Sequence, residues 1–350
     1  MKRVFGVVLA SLLFVLFGGC EPSTKDYVRL EGVMLGTDML VVADIDRAQA
    51  QYLSRAVDSL DREMKRQMSI FDANSMISQI NRGESDLLTE DMCYNIELAD
   101  SVSRLSGGVY DITVMPLVKA WGFARKGASE SGAVVSEPNI DSLLEFVGHE
   151  KISIKDGRLV KEDARIELDF NSIAKGYTVD KLAHIVESLG AENYLVDIGG
   201  ELYCRGVNSS GIGWRIGVER PFDGNMTSGE YVKRRISMDP RSGLRAMATS
   251  GNYRRFYIDN SGRKIAHTID PRTGRSSIST LLSVTVMAKT CALADSYATM
   301  FMALGSAAAE EVAHKIDDIE VYFIYGDSGK QDSTSYREYI SPGLQGMLME

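Results

Sequence analysis

Two oxygen-bearing side chains four residues apart, Asp295 and Thr299, form the first candidate site in the chain. Residues four apart on a helix share a face, so a helix would present this carboxylate and this hydroxyl together. Hard oxygen donors of this kind suit Mg²⁺, and water and a substrate phosphate would complete its coordination. The alternative is structural: Asp295 would favour the dipole at a helix start, and Thr299 would pack in the core.

A second candidate is the segment of residues 169–180, which follows a predicted strand and opens a predicted helix. Free backbone N–H groups at a helix start bind anions, and Lys175 adds a positive charge in the first turn. Gly176 has no side chain and would let a ligand approach the backbone. The segment suits phosphate, although its spacing matches neither a Walker A loop nor a Rossmann turn. Alternatively, Asn171 only caps the helix and Asp180 faces solvent.

His267, one of four histidines, stands just before an Asp-Pro-Arg-Thr-Gly turn sequence at residues 270–274. Imidazole accepts a proton near neutral pH, so His267 is a candidate general base, although a single histidine is more often structural. Glycine pairs stand at residues 107–108, shortly before Tyr110, and at residues 199–200, after a predicted strand. Each pair suits either close contact with a ligand or ordinary packing.

The elements that must position these residues favour an α+β fold with mixed or antiparallel sheets and packed helices. Apolar spacing and turn signals predict helices over residues 46–68, 88–105, 171–189 and 290–304. Strand pairs are predicted over residues 28–42 and 151–168, a single strand over 194–198, and short strands with turns over 214–258. Residues 126–137 form a predicted loop. Neither a repeat nor a long linker divides the chain, so we expect one folded unit over residues 28–350.

The first twenty residues predict export and a lipid anchor. Lys2 and Arg3 precede an apolar run over residues 4–17, which is too short to span a bilayer and is typical of a signal peptide. Small residues before Cys20 resemble the lipobox of bacterial lipoproteins, although Phe17 stands where leucine is usual. We expect a signal peptide over residues 1–19, a lipidated Cys20 and a tether over 20–27, with plain secretory cleavage as the alternative. The protein would lie in the periplasm, attached to the inner membrane by lipid alone, with palmitate among its acyl chains.

Charge and cysteine content exclude several other classes. The chain has 48 acidic and 39 basic residues, which disfavours a nucleic-acid or anionic-lipid surface. Its 44% hydrophobic and 25% charged residues are ordinary for a globular protein. Cys93, Cys204 and Cys291 lack Cys-x-x-Cys spacing and have apolar neighbours. We predict buried, inert thiols there instead of a disulfide or a zinc site.

The order of the motifs resembles the ApbE family of FAD:protein FMN transferases. The motifs stand at residues 107–117, 169–180, 197–200, 250–253, 267–274 and 294–299. They read Gly-Gly-x-Tyr-Asp-Ile-Thr-Val-x-Pro-Leu, Asp-x-x-x-Ile-Ala-Lys-Gly-Tyr-x-Val-Asp, Asp-Ile-Gly-Gly, Ser-Gly-x-Tyr, His-x-Ile-Asp-Pro-x-Thr-Gly and Ala-Asp-x-x-Ala-Thr. Each motif alone is weak, but the same order of all of them is specific. The resemblance extends from about residue 34 to residue 325.

The resemblance implies an FAD cleft between two subdomains of one catalytic unit, with a Mg²⁺ site beside it. The metal ligands would be the Ala174 carbonyl and the side chains of Asp295 and Thr299. The implied flavin-binding residues are Met34, Phe71, Asn74, Val109, Tyr110, Asp111, Asn171, Lys175, Asp180 and Ile269. The metal would make the pyrophosphate phosphorus more electrophilic and AMP a better leaving group. A Ser or Thr hydroxyl of a partner flavoprotein would attack, with His267 accepting its proton, and FMN would become attached through a phosphoester.

One segment departs from the family pattern and leaves other activities open. Phe71 stands where the family commonly has tyrosine, and Met76 where it commonly has glutamate. A looser wall there would admit water, so we expect hydrolysis of FAD to free FMN and AMP when no acceptor is present. One alternative is therefore a metal-dependent FAD pyrophosphatase. The other is a periplasmic FAD-binding lipoprotein without catalysis, which the Asp295 and Thr299 pair and Lys175 argue against.

Overall fold

The computed structural model describes residues 27–124, 139–223, 225, 230–238, 241–253, 255–326 and 336–349. The predicted signal peptide, the lipidated Cys20 and the loop at residues 126–137 lie outside these residues. Tyr27 was assigned by the sequence to the tether, yet it belongs to the folded body. Its ring packs against Trp214 with the centroids 6.2 Å apart, and its hydroxyl donates to the Val207 carbonyl at 2.8 Å.

Strands in the described residues build one large antiparallel sheet and several small ones. In chain order they are β1 Val28–Met34, β2 Thr37–Ala43, β3 Ile152–Lys155, β4 Arg158–Lys161, β5 Tyr194–Ile198, β6 Glu201–Arg205, β7 Arg215–Glu219, β8 Val232–Ser237, β9 Ala246–Gly251, β10 Phe256–Ile258, β11 Lys264–Ala266, β12 Ile269–Asp270, β13 Arg275–Ser276, β14 Leu281–Ala288, β15 Glu320–Gly326, β16 Tyr336–Ile340 and β17 Leu348–Met349. The large sheet has the order β1-β2-β5-β6-β9-β14-β15-β16. The pairs β3-β4, β10-β11 and β12-β13 are separate hairpins, and β17-β8-β7 form a small sheet.

Helices pack on this sheet and confirm the predicted α+β class. In chain order they are α1 Arg47–Met68, α2 Met76–Asn81, α3 Glu90–Ser106, α4 Met115–Ala120, α5 Ile140–Leu144, α6 Ala174–Ser188, α7 Cys291–Leu304, α8 Ala309–Ala313 and α9 Pro342–Gln345, with a 3-10 turn at His149–Lys151. Helix α7 packs against β9, β14 and α6. Most of its side chains are buried, which fits its mostly apolar sequence.

The predicted helix over residues 46–68 is confirmed, and its start has a complete capping box. The Asp46 carboxylate accepts from the Gln49 backbone N–H at 2.8 Å, and the Gln49 side chain accepts from the Asp46 N–H at 2.7 Å. The predicted helix over residues 88–105 is likewise confirmed as α3. It ends at Gly107, whose φ of 64° is the left-handed conformation that glycine adopts without strain.

The helix predicted over residues 171–189 begins three residues later than expected. The Asn171 N–H donates to the Asp169 carboxylate at 2.8 Å, which makes a local turn in place of the first helical turn. Helix α6 then begins at Ala174, and Ile173 at its N-cap position provides no side-chain cap. Asn171 is therefore not the helix cap that the sequence predicts.

The hairpins at residues 28–42 and 151–168 are confirmed, the second with shorter strands than predicted. Its turn has positive φ at Asp156 and Gly157, but pairing ends at Lys161. The first hairpin turns at Leu35 and Gly36, with φ values of 52° and 82°. None of the helices in the described residues has the length and apolar character needed to cross a membrane.

Candidate functional site

A cleft of about 950 Å³ lies between the β1-β2 turn, the end of α1, the start of α6, the end of β9 and α7. Most predicted site residues line it: Phe71, Val109, Tyr110, Asp111, Asn171, Ala174, Lys175, His267, Ile269, Asp295 and Thr299. Motifs separated by more than one hundred residues in the chain therefore meet around one cavity. This volume is typical of a pocket that binds a cofactor-sized ligand.

The start of α6 and the first turns of α7 touch because Gly176 has no side chain. A Cβ atom there would lie 2.3 Å from the Cys291 carbonyl oxygen and 2.8 Å from the Asp295 Cβ. The Gly176 N–H donates to Asp295 Oδ2 at 3.0 Å. This contact places the Asp295 carboxylate at the N-terminal end of α6, which begins at Ala174.

The three predicted metal ligands all face the cleft and are all oxygen donors. The Ala174 carbonyl accepts from Thr178 Oγ1 at 2.7 Å, and Thr299 Oγ1 lies 3.4 Å from Ser250 Oγ. Among the described residues, His, Cys, Asp and Glu form no cluster of three that could hold a metal. One carboxylate with neutral oxygens leaves room for water and substrate oxygens, and this donor set fits Mg²⁺ better than Zn²⁺.

Lys175 and Glu201 form an ion pair in the wall of the cleft. Lys175 Nζ lies 2.5 Å from Glu201 Oε1, and the Glu201 side chain is 4% exposed. Burial opposes protonation of Lys175, but the charges of Glu201 and Asp295 outweigh it and raise the Lys175 pKa. Burial, assisted by Glu201, raises the pKa of Asp295. The second carboxylate oxygen of Glu201 is buried without a hydrogen-bond partner among the described residues.

His267 is neutral at physiological pH and has a defined tautomer. Its Nδ1 lies 3.1 Å from the Arg255 carbonyl oxygen, which can only accept, so Nδ1 carries the proton. Burial, together with the nearby Arg255 and Lys175 charges, lowers the pKa of His267 to about 4. Nε2 therefore keeps its lone pair, which is the state that a proton acceptor requires.

The segment after α3 supplies one wall of the cleft. Tyr110 is 2% exposed, and its hydroxyl accepts from Ser172 Oγ at 2.9 Å. The Asp111 carboxylate accepts from the Thr113 N–H and hydroxyl, both at 2.7 Å. Burial raises the pKa of Asp111. Both side chains are thus held by their own neighbours, which makes this wall rigid.

Three predicted flavin-binding residues lie outside the cleft lining. Met34 is fully buried in the apolar cluster between the β1-β2 hairpin and α1, while the adjacent Leu35 lines the cleft. Asn74 is exposed on the loop before α2. Asp180 accepts from the backbone N–H groups of Cys291 at 2.7 Å and Ala292 at 2.9 Å. Asp180 therefore helps to cap the first turn of α7, together with the N-cap residue Thr290.

Other residues line the cleft that the sequence did not single out. They include Leu35, Glu201 and Arg255. Glu201 comes directly after the Asp-Ile-Gly-Gly motif, and Arg255 comes shortly after the Ser-Gly-Asn-Tyr motif. Their position next to a recognised motif is the signal by which the sequence could have identified Glu201 and Arg255.

Met76, the second departure from the family pattern, also lies outside the lining. Its sulfur accepts from Arg66 Nη1 at 3.3 Å on the outer side of α1 and α2. Phe71 does line the cleft and is 38% exposed. Of the two departures, only Phe71 can affect the cavity directly.

The fold and the cleft define an α+β protein with one large ligand-sized cavity among the described residues, and comparison with known proteins identifies its family. A profile of the ApbE family matches residues 35–323. The chain is 32% identical to the FAD:protein FMN transferase of Vibrio cholerae over 342 residues, covering 96% of this chain and 98% of the relative. It is 30% identical to the enzyme of that name from Haemophilus influenzae, covering 93% of each chain. The solved structure described as the flavin transferase ApbE from Vibrio cholerae superposes with a TM-score of 0.77 at 29% identity, covering 92% of this chain and 99% of that chain.

The chain belongs to the ApbE family, and it is an enzyme. The family resemblance drawn from the motifs is therefore confirmed. The named activity of these relatives is flavin transfer.

Proposed function

We propose that this enzyme cleaves FAD at its pyrophosphate, attaches FMN through a phosphoester to a Ser or Thr of a partner flavoprotein, and releases AMP. The observation that carries the proposal is the meeting of Ala174, Asp295, Thr299, Lys175 and His267 around one cavity. The relatives named FAD:protein FMN transferase, which match almost the full length of the chain, support the same activity.

The oxygen donors at the junction of α6 and α7 are suited to hold Mg²⁺ in this reaction. Ala174 would contribute its carbonyl, Asp295 its carboxylate and Thr299 its hydroxyl. A divalent cation bound there would neutralise charge on the pyrophosphate and favour departure of AMP. Asp295 holds its orientation through the Gly176 N–H, so its second oxygen remains available for this task.

His267 is the proton acceptor in the proposed step. The acceptor hydroxyl would give its proton to Nε2 while its oxygen forms a bond to the FMN phosphorus. The bond from that phosphorus to the bridging oxygen of the AMP phosphate breaks, and AMP leaves with the bond electrons. The proton then passes from His267 to solvent, so atoms and charge balance.

The apolar part of the lining is suited to the isoalloxazine ring. Val109 and Ile269 are buried residues that reach the cavity, and Tyr110 adds an aromatic wall. Apolar and aromatic side chains commonly enclose planar ligands, with a few polar groups that fix their orientation. Phe71, exposed at the edge of the lining, would contact the ring from the solvent side.

Hydrolysis of FAD is a second activity that one observation favours. The exposure of Phe71 leaves this wall of the cleft open to solvent. When no acceptor hydroxyl is present, water that enters along this wall would attack the phosphorus instead. The products would be free FMN and AMP.

We further propose that the enzyme works in the periplasm, attached to the inner membrane through a lipidated Cys20. The signal-like residues 1–19 and the small residues before Cys20 support this location. Labelling with radioactive palmitate in a bacterial host tests it. We expect label on the wild type and none on Cys20→Ser; equal labelling of both would contradict the proposal.

The activity is tested by incubating the purified protein with FAD, Mg²⁺ and candidate acceptor flavoproteins that expose a Ser or Thr. Chromatography would follow AMP and free FMN, and mass spectrometry would detect FMN on the acceptor. We expect AMP and FMN-acceptor in equal amounts, and neither in EDTA. Free FMN with AMP and no labelled acceptor would make the protein a hydrolase. Intact FAD under every condition would refute both activities.

A further inference from the structure

Arg255 is a cation in the cleft wall that forms no direct ion pair with a carboxylate of the described residues. The cleft lining also contains Lys65 and Lys175, and each of these is paired: Lys65 Nζ lies 2.6 Å from Asp61, and Lys175 Nζ lies 2.5 Å from Glu201. Arg255 is half-buried, and no carboxylate of the described residues lies within 4 Å of it. The Asp169 carboxylate, which also lines the cleft, acts on Arg255 from farther away, but burial outweighs it and lowers the Arg255 pKa. A partly buried cation without a direct ion pair is costly, so such groups normally contact an anion.

The Arg255 side chain is held in place by Phe123. Its Nη2 donates to the Phe123 carbonyl, and its guanidinium carbon lies 5.8 Å from the centroid of the Phe123 ring. A guanidinium has five N–H donors, and this contact uses one of them. The others remain available for oxygen acceptors, and paired donors in a plane match the oxygens of a phosphate.

Arg255 is also joined to His267 through the backbone. The Arg255 carbonyl accepts from the His267 N–H at 3.2 Å and lies 3.1 Å from His267 Nδ1. These contacts hold the imidazole against the Arg255 backbone. The charged groups that act on His267 are Arg255 and Lys175, and the Phe123 ring packs against it edge-on with the centroids 6.4 Å apart.

We infer that Arg255 binds the phosphate attacked in the transfer step, with its free N–H groups donating to phosphate oxygens beside His267. The inference rests on the proposed function and assigns this role to a residue outside the predicted set. The same positive charge disfavours protonation of His267, so one residue would hold the phosphate and keep the base available. Lys175 differs from it because its charge is already balanced by Glu201.

Binding measurements test the inference without requiring turnover. Calorimetry in EDTA would measure the affinity of the complete protein for FAD and for inorganic pyrophosphate. We expect Arg255→Gln to weaken both affinities about 10- to 100-fold, because a charged hydrogen bond is lost. Arg255→Lys should recover part of the loss, since it restores the charge without the paired donors. The matched control is Arg263→Gln on the same hairpin, whose side chain pairs with Asp259 and is 56% exposed; it should bind like the wild type.

A titration separates an electrostatic role of Arg255 from simple packing. NMR of the His267 ring should show a higher midpoint in Arg255→Gln than in the wild type, and a midpoint near the wild-type value in Arg255→Lys. The acid limb of the pH–rate profile should move in the same direction. A residue that only packs against Phe123 would not produce recovery by lysine in both measurements.

Several outcomes would overturn the inference. One is that Arg255→Gln binds FAD and pyrophosphate as tightly as the wild type does. Another is that the wild type binds neither probe. The third is that removing the Arg255 charge leaves the midpoint of the His267 titration unchanged. If Arg255→Gln does not fold, Arg255→Lys decides alone, with about 10-fold weaker binding expected and unchanged binding contradictory. Binding that depends on Arg255 in a protein that never transfers FMN would refute the proposed function and leave this inference standing.

Discussion

At the scale of single residues, the sequence predicts the chemical groups of the site but not their partners. His267, Lys175 and Asp295 were singled out by residue type and motif, and all three line the cleft. Glu201 and Arg255 were not, because their contacts to Lys175 and His267 exist only after distant strands and loops have packed. These partners decide the charge state of each group, which residue type alone does not specify.

The lowered pKa of His267 makes folding stability depend on pH. Its pKa falls from 6.5 to about 4 in the folded protein, so between these values the unfolded chain binds a proton that the folded protein does not. The contribution of His267 to stability is therefore complete above pH 6.5 and is lost as the pH falls toward 4. Urea unfolding at pH 7.5 and pH 5.0 should show a larger loss of stability on acidification for the wild type than for His267→Gln. Equal losses would contradict this assignment.

At the scale of elements, the helices that carry the site were predicted, but their close contact was not. Apolar spacing identifies α7. It also places α6 correctly, except for the first turn of that helix. The sequence pattern does not reveal that Asp169 turns the chain before α6 or that α6 and α7 approach to backbone contact at Gly176. A glycine in a helical pattern is compatible with a ligand or with another helix, and here the neighbour is a helix.

Gly176→Ala should push α6 and α7 apart. Its Cβ would meet the Cys291 carbonyl at 2.3 Å, which backbone movement alone can relieve. We expect a loss of about 1–3 kcal/mol in the free energy of unfolding, and weaker binding of Mg²⁺ because Ala174 and Asp295 separate. Denaturant unfolding and metal titration check this. The control is Gly346→Ala, where a Cβ meets nothing within 4 Å, and it should change neither quantity. If Gly176→Ala also leaves stability and Mg²⁺ binding unchanged, the role of this contact is refuted.

Asp180 should act on stability and not on flavin binding. Its carboxylate accepts from two N–H groups at the start of α7, and an amide supplies only one oxygen acceptor. We expect Asp180→Asn to lower the free energy of unfolding by about 1–2 kcal/mol, in the range of helix caps. The KM for FAD, measured below the transition temperature, should remain at the wild-type value. A large rise in KM with unchanged stability would restore the flavin contact that the family resemblance implies.

At the scale of the whole molecule, the α+β class and the two hairpins could be predicted, whereas the order of the large sheet could not. Strand β2 pairs with β5 and β6 pairs with β9, although long stretches of chain separate the partners. Hairpin pairing follows from local turn chemistry, but pairing of distant strands depends on how all the elements pack. The cleft depends on that sheet order, so its full lining could not be read from local patterns.

The predicted inert thiols provide a test of this packing. Cys204 and Cys291 are buried free thiols, and Cys93 is half-buried. Burial raises the pKa of each of the three, which suppresses the reactive thiolate. A thiol reagent should modify Cys204 and Cys291 only in denaturant and Cys93 slowly in the native protein. Rapid native modification of Cys291 would contradict the close packing of α6 against α7.

The most direct measurement of the central claim compares two buried aspartates at the junction of α6 and α7. FMN transfer from FAD to an acceptor would be followed by acceptor mass at saturating Mg²⁺ for the wild type, Asp295→Asn and Asp180→Asn. Asp295 lines the cleft, whereas Asp180 accepts hydrogen bonds from the first turn of α7. The two substitutions therefore remove the same side-chain charge at two positions with different roles. We predict that Asp295→Asn loses transfer by about 100-fold or more while Asp180→Asn, assayed where it is folded, stays within a few-fold of the wild type. Wild-type transfer by Asp295→Asn, or transfer by the wild type that persists in EDTA, would contradict the account.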